Sequence, residues 1–222
     1  MKRILIVVLL SIISMIFAED VLKYSDESVN FFFDVLENRR SVRDFEDTPI
    51  PEEDLMKILQ AGAWAPTSGN QQPWKFIVIQ DPATEEKIKE ETLFEAQEYY
   101  ITQEFSSEEI ENKIEKHAGY LDNFLSAPAY IVVLTDDNSK WPGYNIHDGP
   151  LAAENIILAA RALGYGTVYA TDSIPEIATR KALNIPEHYT RICLIPIGVP
   201  KEWPEAHEKI DLNEFIIWEK FE

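Results

Sequence analysis

The sequence predicts an α+β fold in which a sheet is covered by helices. Three observations carry that expectation. Helical patterns interleave with only a few apolar, β-branched runs, of which KFIVI, AYIVVLT and ICLIPIGV are the clearest. With 222 residues, 45% of them hydrophobic, the chain is long enough to bury a core as one globular domain, here taken as residues 27–222. The single cysteine, Cys193, excludes an internal disulfide framework and any cysteine-built zinc or iron–sulfur centre, so packing must supply the stability.

The elements follow in order. In MKRILIVVLLSIISMIFAED, Lys2 and Arg3 precede an apolar run of 14 residues, and Ala18 stands before Glu19 and Asp20. The run is shorter than the ~20 residues that span a bilayer. Residues 1–18 therefore read as an export signal or an uncleaved membrane anchor, and the charge asymmetry places the body of the protein outside the cytoplasm. SVNFFFDVLEN, residues 28–38, predicts a largely buried helix with cap candidates in Ser28 and Asn30. Pro51 opens an amphipathic helix, PEEDLMKILQAG, with acids in its first turn and Gly62 as its stop. WAPTSGNQQPW is a loop that runs into the strand KFIVI, and Asp81-Pro82 ends that strand.

Residues 84–124 have helical propensity but are acidic and poor in apolar residues, which suggests two exposed helices or a lid rather than core. A strand over 129–135, a loop, and a long apolar helix over 148–164 closed by glycine come next. A short strand at 167–170, a helix over about 175–183 and a strand over 192–199 complete the core. The tail IDLNEFIIWEKF keeps apolar residues after the last strand, as a segment does that packs beyond its own sheet.

Charge narrows the function. Lys and Arg number 20 against 39 Asp and Glu, a formal net charge of −19 that becomes −21 if Lys2 and Arg3 leave with a signal. Nucleic acid is an unsuitable partner for such a chain, because phosphate binding rests on cationic surface. Against that background Arg39, Arg40 and Arg43 fall within five residues, beside Ser41. Guanidinium groups and a hydroxyl are what a phosphate wants, and the preceding helix can hold them. The competing reading pairs these arginines with Glu37, Asp44, Glu46 and Asp47 on the surface, where ion pairs contribute ~0 to 1 kcal/mol. Amides, hydroxyls and a glycine in Pro66-Thr67-Ser68-Gly69-Asn70-Gln71-Gln72 could ring a planar heteroaromatic, or form an ordinary turn-rich loop.

RRSVRDF, then APTSGNQQPWKFIVI, then DGPLAAENIILAARALGYGTVY and LIPIGVP, in that order and spacing, resemble the FMN-dependent nitroreductase family over residues 31–222. The resemblance implies a central, mostly antiparallel sheet and a homodimer with swapped terminal segments and an FMN at each subunit interface. It implies that Arg39, Arg40 and Ser41 bind the FMN phosphate and ribityl chain and that Arg43 approaches the pyrimidine side of the ring. Pro66, Ser68 and Asn70 would come from the partner protomer, and backbone N–H groups of Ala170, Thr171 or Asp172 would lie near the polar edge of the flavin. Where a basic pair usually completes the phosphate site, EAHEKI offers Lys209 and, more weakly, His207.

The implied activity is two-electron, ping-pong reduction of small planar acceptors such as nitroaromatics or quinones, with NAD(P)H as donor if it has access. In such chemistry the flavin transfers the electrons and the protein supplies position and charge. No Ser-His-Asp arrangement stands out, and no metal is expected, since His147, Asp148 and Glu154 bracket a helix start where acids cap. Cys193 reads as a small core residue. Trp141 and Tyr144 are candidates for the substrate face. Two other functions stay open: an exported flavin-binding protein without turnover, and a dehalogenase or flavin-cleaving branch. For a dehalogenase Glu95, Glu98, Tyr99 and Tyr100 could form a lid, but no matching lysine is evident.

Overall fold

The computed structural model describes residues 24–221, so the proposed signal or anchor at 1–18 lies outside the described residues. The chain divides into two compact units, residues 1–37 and 38–222. Helix α1, Asp26–Asn38, accounts for nearly all that is described of the first. It was expected to be largely buried. Instead Phe31, Phe32 and Phe33 are exposed in the single chain and Val35 alone is buried, because three successive aromatics around a helix cannot share one face.

The second unit is a four-stranded antiparallel sheet between two helical layers. Its strands are β1 (Trp74–Ile79), β2 (Ala129–Asp136), β3 (Gly166–Thr167) and β4 (Tyr189–Gly198), in the order β1-β2-β4-β3. Its helices are α2 (Glu52–Ala63), α3 (Pro82–Thr102), α4 (Ser107–Phe124), α5 (Asn145–Ala162) and α6 (Glu176–Leu183). Strand β2 is central and buried on both faces, and its alternation assigns each residue to a layer. Tyr130, Val132 and Leu134 pack with Ile88 of α3, Leu121 and Phe124 of α4, and Ala178 and Ala182 of α6. Ala129, Ile131 and Val133 pack with Leu55 and Ile58 of α2 and with Ala153, Ile156 and Ile157 of α5.

Several boundaries differ from the sequence expectation. Helices α3 and α4 are not merely exposed: Ile88, Thr92 and Ala96 bury one stripe of α3. A polar threonine fits there because its hydroxyl donates to the Ile88 carbonyl at 2.7 Å. Helix α5 begins at Asn145, ahead of the expected start at Asp148, and β3 is two residues long, with Ala170 forming only an isolated bridge to Leu194. The apolar tail is exposed, Trp218 at 83%. Among the described residues no helix is long and apolar enough to cross a membrane.

Two glycines fix close approaches that position the site. A Cβ on Gly166 would stand 2.6 Å from Val42 Cγ2 and 2.8 Å from Pro200. At Gly149 of α5 it would collide with the Ile192 side chain. Ile192 points there because the ladder between β2 and β4 slips at that place: Val133 pairs with Cys193 and Leu134 with Arg191, leaving Ile192 as the extra residue of a bulge. Gly166→Ala is therefore expected to destabilise the protein by about 1–3 kcal/mol through overpacking. In urea denaturation the midpoint should fall while the slope stays constant.

Candidate functional site

The arginine segment follows α1 and runs along the free edge of β3. Ser41 bridges Thr167 in parallel, Val42 N–H donates to the Thr167 carbonyl at 2.9 Å, and Glu46 N–H donates to the Val199 carbonyl at 2.8 Å. Val42 and Phe45 turn into the core, whereas Ser41, Arg43 and Asp44 stay exposed and Arg39 and Arg40 are half-buried. Arg40 Nη1 donates to the Arg39 carbonyl at 2.9 Å, and Arg43 Nη1 reaches the Ser41 carbonyl at 3.3 Å. Asp44 pairs instead with Lys201, 2.7 Å away. Among the described residues Arg39 and Arg43 form no ion pair, which removes the surface-pairing reading for these two.

From β3 the same edge continues to Ala170, Thr171 and Asp172. Ala170 N–H donates to the Leu194 carbonyl at 3.0 Å and its carbonyl accepts from Leu194 N–H at 2.9 Å. Ala170 is thus corrected as a source of a ligand-facing N–H: its own is engaged in the sheet. Thr171 and Asp172 are exposed, and among the described residues their N–H groups make no hydrogen bond. Sequence reasoning missed the residue that holds this segment. Arg191 of β4 donates to the Thr171 carbonyl at 2.7 Å and to Thr179 Oγ1 at 2.9 Å. Its only signal was a charge at the head of an otherwise apolar strand.

The 66–72 loop is clamped from a distance. Asp148, 2% exposed near the start of α5, accepts from Ser68 N–H at 3.0 Å, Ser68 Oγ at 3.3 Å and Gln71 Nε2 at 2.7 Å. Gln71 Oε1 accepts from Trp141 N–H at 2.8 Å. Gly69, Asn70 and Gln72 all take φ between 47° and 60°, a region that non-glycine residues occupy at a cost of order 1–3 kcal/mol each. Strain so concentrated is typical of a functional loop. Pro66 and Asn70 are exposed at its surface, but Ser68 and Gln71 serve the loop itself. Asp148 also bonds here rather than acting as a mere helix cap. Within one chain no hydrogen bond or ion pair among the described residues joins this loop to Arg39, Arg40 or Arg43.

Lys209 and His207 lie exposed on the extended tail, and no hydrogen bond or ion pair among the described residues brings them to the arginines. A cleft of about 370 Å³ opens between the start of α5 and β4, lined by Asn145, Ile146, Pro150, Tyr169 and Arg191 among others. Burial pushes the Tyr169 phenol and the Cys193 thiol up to about 12 each, so neither ionises near neutral pH. On the acidic hairpin of α3 and α4, Glu95 is paired with Lys181 at 2.5 Å. Lys113 Nζ lies 4.4 Å from the ring centre of Phe105 and 5.3 Å from that of Tyr100.

The donors at this sheet edge fit a phosphorylated flavin. Guanidinium groups and a hydroxyl suit a phosphate, and unbonded N–H groups at 171 and 172 suit the polar rim of a heteroaromatic ring. Fold and donor set together define the class of flavin-dependent oxidoreductases built on a helix-covered antiparallel sheet. A model described as "Nitroreductase family" matches residues 36–199. The chain is 32% identical over 187 residues to a protein of Methanothermobacter thermautotrophicus provisionally named NADH dehydrogenase/NAD(P)H nitroreductase, covering 80% of this chain and 83% of that one. It is 28% identical over 192 residues to the iodotyrosine deiodinase of Haliscomenobacter hydrossis, covering 83% and 84%. The solved structure of an FMN-dependent nitroreductase of Clostridium difficile R20291 superposes with a TM-score of 0.64 at 26% identity, covering 85% of this chain and 99% of that one. This chain belongs to the nitroreductase family.

Two outcomes follow from the clamp and the core. Asp148→Ala leaves the Ser68 N–H and the Gln71 amide without their charged acceptor, and should lower stability by about 1.5–3 kcal/mol in chemical denaturation. Cys193, fully buried with its thiol pushed up, should resist iodoacetamide in the folded protein and react on unfolding.

Proposed function

We propose that the protein is an FMN-dependent oxidoreductase that works as a homodimer. It takes two electrons from a donor such as NAD(P)H and passes them in a ping-pong cycle to small planar acceptors, nitroaromatics or quinones among them. The observation that carries this reading is the arginine segment: in a strongly acidic chain, Arg39 and Arg43 are held beside β3 with no carboxylate partner among the described residues. Family membership supports the cofactor and the reaction class.

FMN, when bound, supplies the two-electron redox chemistry; the chain supplies binding, orientation and charge. Arg39 and Arg40 would hold the phosphate, with Ser41 donating its hydroxyl. Arg43, exposed beside them, would set a fixed cation near the pyrimidine side of the ring, where negative charge develops on reduction. Pro66 and Asn70 would face the flavin of the partner protomer. The exposed apolar tail, from Ile210 to Phe221, supports a swapped dimer contact. Lys209 would complete the phosphate site only once the partner packs against that tail.

Reduction of small planar acceptors is favoured over dehalogenation. A lid that grips a zwitterionic amino acid needs free charges, yet Glu95 is paired with Lys181 and Lys113 is stacked on aromatic rings. The charged and apolar pattern of residues 1–18 supports export or anchoring. An exported enzyme would draw on an extracytoplasmic electron donor in place of the cytoplasmic NAD(P)H pool.

The purified protein should be yellow, with one FMN per chain. Arg39→Ala should lose most of it through the missing charge-assisted contact, whereas Arg43→Gln should keep much of the FMN while lowering its midpoint potential. A colourless wild-type protein without FMN affinity would overturn the reading. Light scattering should give a dimer, and a flavin-loaded monomer would remove the shared site.

A further inference from the structure

Among the described residues, Arg191 is the guanidinium that the sheet turns toward the 170–172 edge. The bulge at Ile192 breaks the alternation of β4, sending Ile192 against Gly149 while Arg191 reaches the opposite segment. The half-buried guanidinium forms no ion pair among the described residues. Its two contacts are Thr179 Oγ1 at 2.9 Å and the Thr171 carbonyl at 2.7 Å. Thr179 is itself fully buried, and its hydroxyl also reaches the Pro175 carbonyl at 3.3 Å, so the guanidinium is anchored on α6.

A trans peptide points its carbonyl and its N–H in opposite directions. With the Thr171 carbonyl gripped by Arg191, the N–H of Asp172 in the same peptide unit is turned away from β4. It has no acceptor among the described residues. A cation on the carbonyl oxygen also polarises the amide and makes its N–H a better donor. Ala170, fixed by its paired hydrogen bonds to Leu194, pins the other end of the segment.

We propose that Arg191 is a positioning residue that orients and polarises the Asp172 N–H as the donor facing the polar edge of the flavin. This rests on the proposed cofactor and deepens that reading. Arg191 touches no cofactor atom itself; it acts through the 171–172 peptide. A purely structural arginine would stabilise β4 against α6 without altering an amide or a redox potential.

The test compares the full-length wild type with Arg191→Gln and Thr179→Val. Thr179→Val keeps the arginine and removes one of its two acceptors, so it carries the decision should Arg191→Gln fail to fold. Two readouts are taken: the amide chemical shift of Asp172 in flavin-stripped protein, and the midpoint potential of FMN in loaded protein. Arg191→Gln should shift the Asp172 amide resonance and lower the flavin potential with FMN stoichiometry retained. Thr179→Val should move both readouts in the same direction by less. A wild-type Asp172 amide in the variants, or a wild-type potential in FMN-loaded protein, would overturn the role of Arg191. A wild-type protein that binds no FMN would instead overturn the cofactor reading, and the Asp172 amide would still report whether Arg191 orients it.

Discussion

The closest constraint on this molecule is the approach of the 39–46 segment to β3. Gly166 has no side chain, so Val42 can enter the core within van der Waals reach of the sheet edge, and the Val42 N–H can donate to the Thr167 carbonyl. That contact ties the segment to the sheet edge through isolated bridges. Once Val42 and Phe45 are buried, Ser41, Arg43 and Asp44 face outward, while Arg39 and Arg40 stay half-buried just ahead of them. The outward placement of Arg43 is thus a by-product of core packing, and among the described residues it is held without a carboxylate partner.

The same sheet edge collects the rest of the site. Ser41 pairs with Thr167, and a few residues further the chain is tied back to β4 at Ala170 and Thr171, by the Leu194 bridge and by Arg191. Opposite, Asp148 holds a strained loop through bonds that span about 80 residues of sequence. A buried carboxylate with three donors is costly to leave unpaired, so the loop and the start of α5 form one rigid unit. A rigid frame of this kind can orient a bound aromatic group without any protein nucleophile.

Much of this was legible in the sequence. The three long strands and the apolar helix closed by Gly164 stand out because their periodicity is strong, and RRSVR stands out because it is basic in an acidic chain; Gly62, expected as a helix stop, instead lies inside α2 where a Cβ would collide with Ile156. What escaped had weak local signals. The buried stripe of α3 is Ile88, Thr92 and Ala96, only one of which is large and apolar, so the helix reads as solvated. The three phenylalanines of α1 suggest burial by composition, yet their spacing spreads them around the helix. Asp148 looks like a cap because its true partners, Ser68 and Gln71, lie far away in the chain. The bulge that aims Arg191 depends on the pairing of β2 with β4 and has no trace in either strand alone.

The central claim is that the arginines on the edge of β3 grip the phosphate of a flavin mononucleotide. It is tested most directly by calorimetric titration of the flavin-stripped, full-length protein with FMN and, separately, with riboflavin, which shares the ring and ribityl chain but lacks the phosphate. FMN should bind at least about a hundredfold more tightly, as expected when more than one charge-assisted bond is lost with the phosphate. Equal affinities for the two would contradict the account and return the arginines to the protein surface.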